Sequence, residues 1–168
     1  STSGLALILR SPHSCFLIRG QSKRQGSTAG SAVRANVAAY TAIKDAGMPA
    51  LSLWEVLLSG RFPDGPEVLI RIRFHEDNQA MIRIMRTGRN PTMRHLQRVH
   101  RISVAWLYER FKQDDIALVY EVSDFMAADI YTKAFTDREK WVHACLLINI
   151  VDIKQMRAAF QMAQDSQE

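Results

Sequence analysis

The chain has 168 residues, 47% of them hydrophobic and 23% charged, which is the composition of a single folded domain with a sizeable core. With only 8 glycines and 5 prolines, it is neither a collagen-like nor a low-complexity chain, and its apolar content excludes general disorder. The formal net charge of +5 suits an anionic partner such as nucleic acid, although many solvated surfaces carry a similar excess.

The cysteines and the apolar runs exclude two further classes of protein. Cys15 and Cys145 stand far apart and outside any C-x-x-C pair, so the sequence predicts two buried thiols and neither a disulfide framework nor a zinc site. The apolar runs at residues 5–9 and 145–151 are shorter than the roughly 20 residues of a membrane-spanning helix, so we expect no transmembrane segment. The cellular compartment is left open.

The first third of the chain predicts a hairpin followed by two helices. Apolar runs at residues 4–10 and 15–19 flank a Ser-Pro-His-Ser turn, and residues 20–31 have the composition of a polar loop. A first helix is predicted from residue 31 to about residue 44, with Gly47-Met48-Pro49 as its stop. A second helix is predicted over residues 50–59, and its shared apolar face consists of Leu51, Trp54, Leu57 and Leu58.

The middle of the chain predicts a strand that leads into a helix. Residues 67–74 end in alternating basic and apolar residues, as in a strand with one exposed face. Asp77-Asn78-Gln79 then opens a helix that ends at Gly88. An acidic corner between a strand and a helix is the geometry of many α/β active sites, and also of any capped helix.

The last third predicts a long helix over residues 92–112, a strand over 116–120, a short helix over 123–134 and a final helix over 137–149. The three tryptophans fall on apolar helix faces, so we expect Trp54, Trp106 and Trp141 in the core. A hairpin followed by single strands between helices favours a mixed α/β layer fold.

Several short stretches, in the right order, resemble the C-terminal, ribonuclease-H-like region of a copia-type retrotransposon polyprotein. The resemblance lies in Ser1-Thr2-Ser3-Gly4, Gln21-Ser22-Lys23-Arg24-Gln25, His75-Glu76-Asp77-Asn78-Gln79-Ala80, Arg94-His95-Leu96 with His100-Arg101-Ile102, and Ala128-Asp129-Ile130-Tyr131-Thr132-Lys133. Each stretch alone is unspecific, and their order and spacing carry the resemblance. It covers most of residues 1–150, which we predict to be one domain, followed by a tail over residues 151–168.

The resemblance implies a mixed sheet flanked by helices, with carboxylates at one edge that hold two Mg²⁺ ions. Such a pair of ions activates water and stabilises the leaving oxygen when the RNA strand of an RNA–DNA hybrid is cut. Asp77 and Asp129 correspond to two of the family's acidic ligands. Without the resemblance, Asp77 is equally well explained as a helix cap and Asp129 as a solvated helix residue.

The chain departs from the family at the first helix and at the first strand. Where the family has S-T-x-E-A-E, this chain has Asn36 in place of the ligating glutamate and Arg34 in place of the acidic residue before it. The family's first strand, with its own catalytic aspartate, would precede Ser1. With at most two of four carboxylates, we expect a catalytically degenerate domain that acts as a structural or interaction subunit. The alternative is a metal-dependent endonuclease completed by an upstream segment.

The family's first strand lies in the middle of its sheet, so its loss predicts two open strand edges that face each other, at residues 5–9 and 68–74. We expect another protein chain or an upstream piece to add a strand there by β-augmentation. Two alternatives are that the remaining strands close up or that an internal segment replaces the lost one.

A run of basic residues extends over one helix end, a turn and the next helix. Arginine predominates in it, and its planar guanidinium suits phosphate or carboxylate pairing. Such a surface could contact nucleic acid, an acidic protein or a lipid headgroup, and a merely solvated face is the common alternative. The candidate anion-binding residues are Arg83, Arg86, Arg89, Arg94, His95, Arg98 and Arg101.

Overall fold

The computed structural model describes residues 2–24, 31–61, 70–89, 98–154 and 156–157, and the side chains of these residues except those of 31–33, 59–61 and 98–103. The elements are β1 (Thr2–Ser11), β2 (Ser14–Arg24), α1 (Ser31–Ala42), a π-helical segment (Ile43–Gly47), α2 (Met48–Arg61), β3 (Ile72–Glu76), α3 (Gln79–Thr87), α4 (Arg98–Arg110), β4 (Ile116–Tyr120), two 3-10 turns (Ser123–Phe125 and Ala127–Tyr131) and α5 (Arg138–Leu147). The fold is mixed α/β, as the sequence predicts.

The predicted hairpin is confirmed and is longer than expected. β1 and β2 pair antiparallel from Thr2 opposite Arg24 to Ser11 opposite Ser14. The polar loop predicted over residues 20–31 is therefore wrong for residues 20–24, because backbone pairing with β1 outweighs their polar composition. Residues 25–30 lie outside the described residues. Gly20 has a packing role, since a Cβ there would clash with the ring and hydroxyl of Tyr131.

The predicted helix stop at Gly47-Met48-Pro49 is wrong, because α1 continues through the π-helical segment into α2. Met48 N–H bonds to the carbonyl of Ile43, five residues back, which adds one residue to the turn. Pro49 has no N–H to offer the carbonyl of Asp45. The Arg19 guanidinium donates to that carbonyl instead, at 3.1 Å, so β2 satisfies the group that the proline leaves unbonded.

β3 and β4 form a second, parallel pair, in register from Ile72 opposite Ile116 to Glu76 opposite Tyr120. The predicted strand over residues 67–74 lies too early, since β3 begins at Ile72 and residues 67–69 lie outside the described residues. The predicted alternation is confirmed, because exposed Arg73 and His75 interleave with less exposed neighbours.

α3 has well-defined caps at both ends. The Asn78 side chain accepts the N–H of Met81 at 3.1 Å, so Asn78 and not Asp77 is the N-cap. Gly88 ends the helix with φ 65°, in the left-handed region that favours glycine, and its N–H bonds to the Ile84 carbonyl. The predicted apolar face is confirmed and includes Ile84, and its buried residues are Met81, Ile82, Ile84 and Met85.

The core lies between α1, α3, α4 and the β3–β4 pair. Its fully buried cluster combines residues from each of these elements, and Tyr40 and Trp106 pack edge-on at its border with ring centroids 5.0 Å apart. The predicted α4 is confirmed from residue 98 onward, and residues 92–97 lie outside the described residues. The core cluster is Ala39, Ile43, Met81, Met85, Leu107 and Ile116.

The C-terminal part contains two 3-10 turns where the sequence predicts one short helix over residues 123–134. The final helix is confirmed as α5, capped by the Asp137 side chain. Trp141 is 46% exposed, so its predicted place in the core is wrong, and Leu57 of α2 is also exposed. Cys15 and Cys145 are free and half-buried rather than buried. Of the helices that the structure describes, none has the length and apolarity to traverse a bilayer.

Candidate functional site

A large cleft separates the two strand pairs. In the described parts of the chain, β1 pairs with β2 alone and β3 with β4 alone. The space between them is about 1680 Å³ and is lined by all of β1, residues 70–77 and one side of α1. We call it the interstrand cleft. The strands have therefore not closed up, and among the described residues no internal segment pairs with either open edge.

The start of β1 packs against the second 3-10 turn. Gly4, near the start of β1, packs so closely on the carbonyl of Ala128 that a Cβ would clash with it. Ala128 follows shortly after Glu121, whose N–H bonds to the carbonyl of Glu76 at the end of β3. The segment after β4 therefore contacts both the start of β1 and the end of β3.

The π-helical segment likewise contacts both strand pairs. Arg19, the partner of Leu7 in the hairpin, donates to the Asp45 carbonyl. Two residues further on, a Cβ on Gly47 would lie 3.4 Å from Cδ1 of Ile72, the first residue of β3.

Four carboxylates line the cleft where β3 ends: Glu76, Asp77, Glu121 and Asp129. We call this the acidic end. His75 Nδ1 lies 2.9 Å from a carboxylate oxygen of Glu121. Lys133 lies 2.5 Å from a carboxylate oxygen of Asp129, one helical turn away, and also donates to Ser123 Oγ at 3.1 Å. Asp129 is therefore held in an ion pair with Lys133. Among the described residues, no contact joins the Asp129 carboxylate to the other three carboxylates of the acidic end.

Glu76 is the most perturbed group of the acidic end. Burial raises the pKa of the Glu76 carboxyl from its ordinary value of 4.5 to about 7. The N–H of Asn78, which donates to Glu76 Oε1 at 3.0 Å, opposes this rise, and the adjoining Asp77 carboxylate adds to it. Around neutral pH the Glu76 carboxyl is therefore divided between its protonated and ionised forms.

The two departures from the family motif occupy different places. Arg34 lines the cleft and is half-buried, so it brings a positive charge where the resemblance implies a negative one. Asn36 is 2% exposed and lies off the cleft. The position that the resemblance assigns to a metal ligand thus holds a neutral amide inside the helical layer.

The donor set does not fit the two-metal site that the resemblance implies. Asp77 and Asp129 line the same cleft, as two ligands of one site would. Within the described ranges, however, no group of three or more His, Cys, Asp or Glu residues is arranged to hold a metal ion. A divalent ion needs several anionic oxygens, and here the ion pair with Lys133 and the charge of Arg34 oppose it.

The predicted basic surface is described only in part. Arg83 and Arg86 on α3, and Arg89 just after it, are exposed and form a basic edge. Arg98 and Arg101 lie in α4, but their side chains are outside the described set. Arg94 and His95 lie outside the described residues altogether.

No protein-family model, curated protein or solved structure matches this chain.

The sequence interpretation did not single out Glu76, the carboxyl whose pKa burial raises to about 7. A usable signal was present, because residues alternate between the two faces of a strand. Glu76 is two residues after Phe74 and four after Ile72, so it lies on the inward face with them, whereas Asp77 falls after the strand. A carboxylate on the apolar face of a strand predicts a perturbed pKa.

Proposed function

We propose that this chain is a catalytically degenerate, ribonuclease-H-like domain of retroelement origin that serves as an interaction subunit and binds its partner by accepting a β-strand into the interstrand cleft. The observation that carries the proposal is the cleft between two open strand edges, β1 and β3, which are not bonded to each other within the described residues.

Backbone chemistry explains why a strand is the favoured occupant. One edge of β1 and one edge of β3 present N–H and C=O groups that no described strand bonds, and open strand edges of this kind pair readily with an added strand. A single inserted strand would bond to both edges and join the two pairs into one continuous sheet. At about 1680 Å³ the cleft also exceeds the roughly 300–1,000 Å³ of small-molecule pockets.

Exposed apolar side chains on two helices support a role within an assembly. Leu53, Val56 and Leu57 of α2 are exposed, as are Trp141 and Leu146 of α5. Leu53, Val56 and Leu57 share one face of α2, and large apolar groups on one helix face are typical of surfaces that another protein covers. The chain thus offers contact surface beyond the cleft itself.

The alternative function is a Mg²⁺-dependent endonuclease acting on RNA–DNA hybrids, with the missing carboxylates supplied by an upstream segment or another chain. It is favoured by the position of Asp77 and Asp129, which line the same cleft. It is opposed by buried Asn36 and by the charge of Arg34. The exposed arginines at 83, 86 and 89 would bind the phosphates of a nucleic acid if the chain is a nuclease, and the acidic side chains of a partner if it is an interaction subunit.

A hybrid-cleavage assay separates these two functions. We expect no release of fragments from a labelled RNA–DNA hybrid with either Mg²⁺ or Mn²⁺, because too few anionic oxygens converge to hold two ions. Asp77→Asn is the diagnostic variant, and Asp124→Asn, an exposed carboxylate that does not line the cleft, is its matched control. Cleavage that Asp77→Asn abolishes and Asp124→Asn preserves would establish the nuclease and refute the subunit.

Hydrogen exchange on the isolated chain tests the open edges. We expect the amides of β1 and β3 that point into the cleft to exchange quickly, and those bonded to β2 or β4 to exchange slowly, so that protection alternates along each strand. The Ile82 amide, bonded to the Asn78 carbonyl inside α3, serves as a protected internal reference. Uniformly slow exchange along both strands, without a partner, would show that the edges are already covered.

A further inference from the structure

We propose that Asn149 closes the outer edge of β2, the edge that faces away from β1, so that the hairpin accepts a partner strand along β1 alone. In the described parts of the chain β2 pairs only with β1, which leaves that outer edge without a strand. The Asn149 side chain, just after α5, donates to the backbone carbonyl of Cys15, with Nδ2 2.7 Å from the oxygen. The closure of β2 is independent of the proposed function, whereas the use of β1 rests on it.

The Cys15 carbonyl belongs to the outer edge because of its place in the hairpin. Residues 12–13 form the turn between the strands, and Ser11 opposite Ser14 is the pair next to that turn. The two residues that flank a two-residue turn bond to each other. In an antiparallel ladder the next pair is of the other kind, whose N–H and C=O groups point away from the partner strand. That pair is Arg10 opposite Cys15, so the carbonyl of Cys15 points outward.

The end of α5 holds the Asn149 side chain in this position. Asn149 has φ 60°, in the left-handed region. Its N–H bonds to the carbonyl of Leu146 and the N–H of Ile150 bonds to the carbonyl of Cys145, which together form a Schellman cap. Glycine and asparagine are the residues most often found in this conformation, and of the two asparagine alone carries a side-chain donor. Asn149 therefore combines the cap of α5 with the bond to β2.

The later part of the outer edge has other features that discourage pairing. Between Leu7 and Ile8 of β1 the register skips Ile18 of β2, which is therefore the extra residue of a β-bulge. A bulge interrupts the regular spacing of backbone groups and increases the local twist. Beyond the bulge, Lys23 and Arg24 are exposed, and charged side chains on an edge strand oppose its pairing with another copy.

The part of β2 before the bulge has neither feature. Cys15, Phe16 and Leu17 carry no charge, and Phe16 is exposed. An uncharged, apolar edge of this kind is prone to pair with another chain. The N–H of an added strand would have to approach the Cys15 carbonyl from the side that the Asn149 amide occupies. Asn149 therefore protects the stretch of β2 that the bulge and the charges leave open.

Self-association of the full chain tests the closure of β2. Asn149→Gly removes the amide and introduces a residue that favours positive φ, so the cap of α5 is preserved. We expect this variant to dimerise through β2, with a dissociation constant about tenfold lower than that of the parent chain, which corresponds to about 1.4 kcal/mol. Sedimentation equilibrium over a concentration series measures it. Gln113→Gly, which removes an exposed amide side chain from the turn before β4, is the matched control and should sediment like the parent chain.

A second variant and hydrogen exchange locate the effect. Asn149→Asp also tolerates positive φ but has no donor when ionised, so it should associate more than the parent chain as well. In both variants, protection of the amides of residues 15–17 should rise with protein concentration. The closure is refuted if Asn149→Gly keeps the parent's circular dichroism and also its sedimentation. It is refuted too if the variants associate but the added protection lies outside β2.

A strand-forming peptide tests the choice of edge. A suitable peptide has about ten residues of alternating valine and threonine, with a lysine at each end for solubility. In the parent chain we expect it to slow exchange at the β1 amides that are not bonded to β2, and to leave residues 15–17 unchanged. In Asn149→Gly it should protect both strands. Protection of residues 15–17 in the parent chain would refute the closure. If β1 gains no protection while Asn149→Gly still dimerises through β2, the closure stands and strand acceptance is refuted.

Discussion

Replacing Glu76 with glutamine raises the free energy of unfolding by about 2 kcal/mol at pH 8 and leaves it unchanged at pH 4. The physical reason is the elevated pKa of the Glu76 carboxyl, which burial raises from 4.5 to about 7. One pKa unit corresponds to about 1.4 kcal/mol, so the full shift amounts to roughly 3 kcal/mol, and partial access to water lowers the expected figure. The amide oxygen of the new glutamine would still accept the N–H of Asn78, so the start of α3 is preserved.

The direction of the pH dependence follows from proton binding. Between pH 4.5 and about 7 the folded chain holds the Glu76 proton more often than the unfolded chain does. The contribution of the Glu76 carboxyl to the free energy of unfolding is therefore complete below pH 4.5. It falls as the pH rises through that window and is lost above about pH 7. Urea unfolding at pH 4, 6 and 8 measures it, with Glu55→Gln, an exposed residue of α2, as the matched control. Equal stability of E76Q and the parent chain at pH 8 would contradict the burial of an ionisable group.

The ionised Glu76 carboxyl lowers the stability of the free chain at neutral pH, but it would attract a cationic side chain that a partner places beside it. Glu76 lies at the end of β3, next to Asp77, and both residues line the cleft that a partner strand would enter. An opposite charge favours the ionised form and lowers the pKa of the carboxyl. The cost of ionisation in the free chain would then become an attraction in the complex, so that Glu76 favours the bound state over the free one.

The sequence alone was sufficient to predict the elements that depend only on neighbouring residues. The hairpin, the start of the final helix near Asp137 and the stop at Gly88 each depend on residues close together in the chain. The continuation through Gly47-Met48-Pro49 could not be predicted in this way, because its unbonded Asp45 carbonyl is satisfied by Arg19 of β2, 26 residues earlier. Periodicity and turn residues contain no information about such a distant donor.

In the candidate site, too, the sequence predicted the local features and did not predict those that depend on packing. The sequence placed Asp77 at a strand-to-helix corner and predicted two facing open edges, and the structure has that corner and a cleft between β1 and β3. It did not reveal that Asp129 is engaged by Lys133 or that Asn36 is buried off the cleft, because both facts depend on how separate elements pack. Resemblance to a motif assigns residue types to positions, and only the packing decides whether their side chains converge.

Whether the helical layer is already folded before a strand enters can be measured at Leu107. This side chain of α4 is 0% exposed and packs in the core cluster with Met81, Met85 and Ile116. Leu107→Ala should lower the free energy of unfolding by about 2–5 kcal/mol, because the lost methyl groups leave a cavity that the surrounding core cannot fill.

Leu53→Ala, the same substitution at a side chain of α2 that is 56% exposed, should change the free energy of unfolding by less than about 0.5 kcal/mol. Urea unfolding of both variants without any partner gives the comparison. A small effect at Leu107 would mean that the core between α1, α3 and α4 is not consolidated in the free chain, and that strand binding is coupled to folding. A large effect means that the helical layer is a preformed floor, and that entry of the strand completes only the sheet above it.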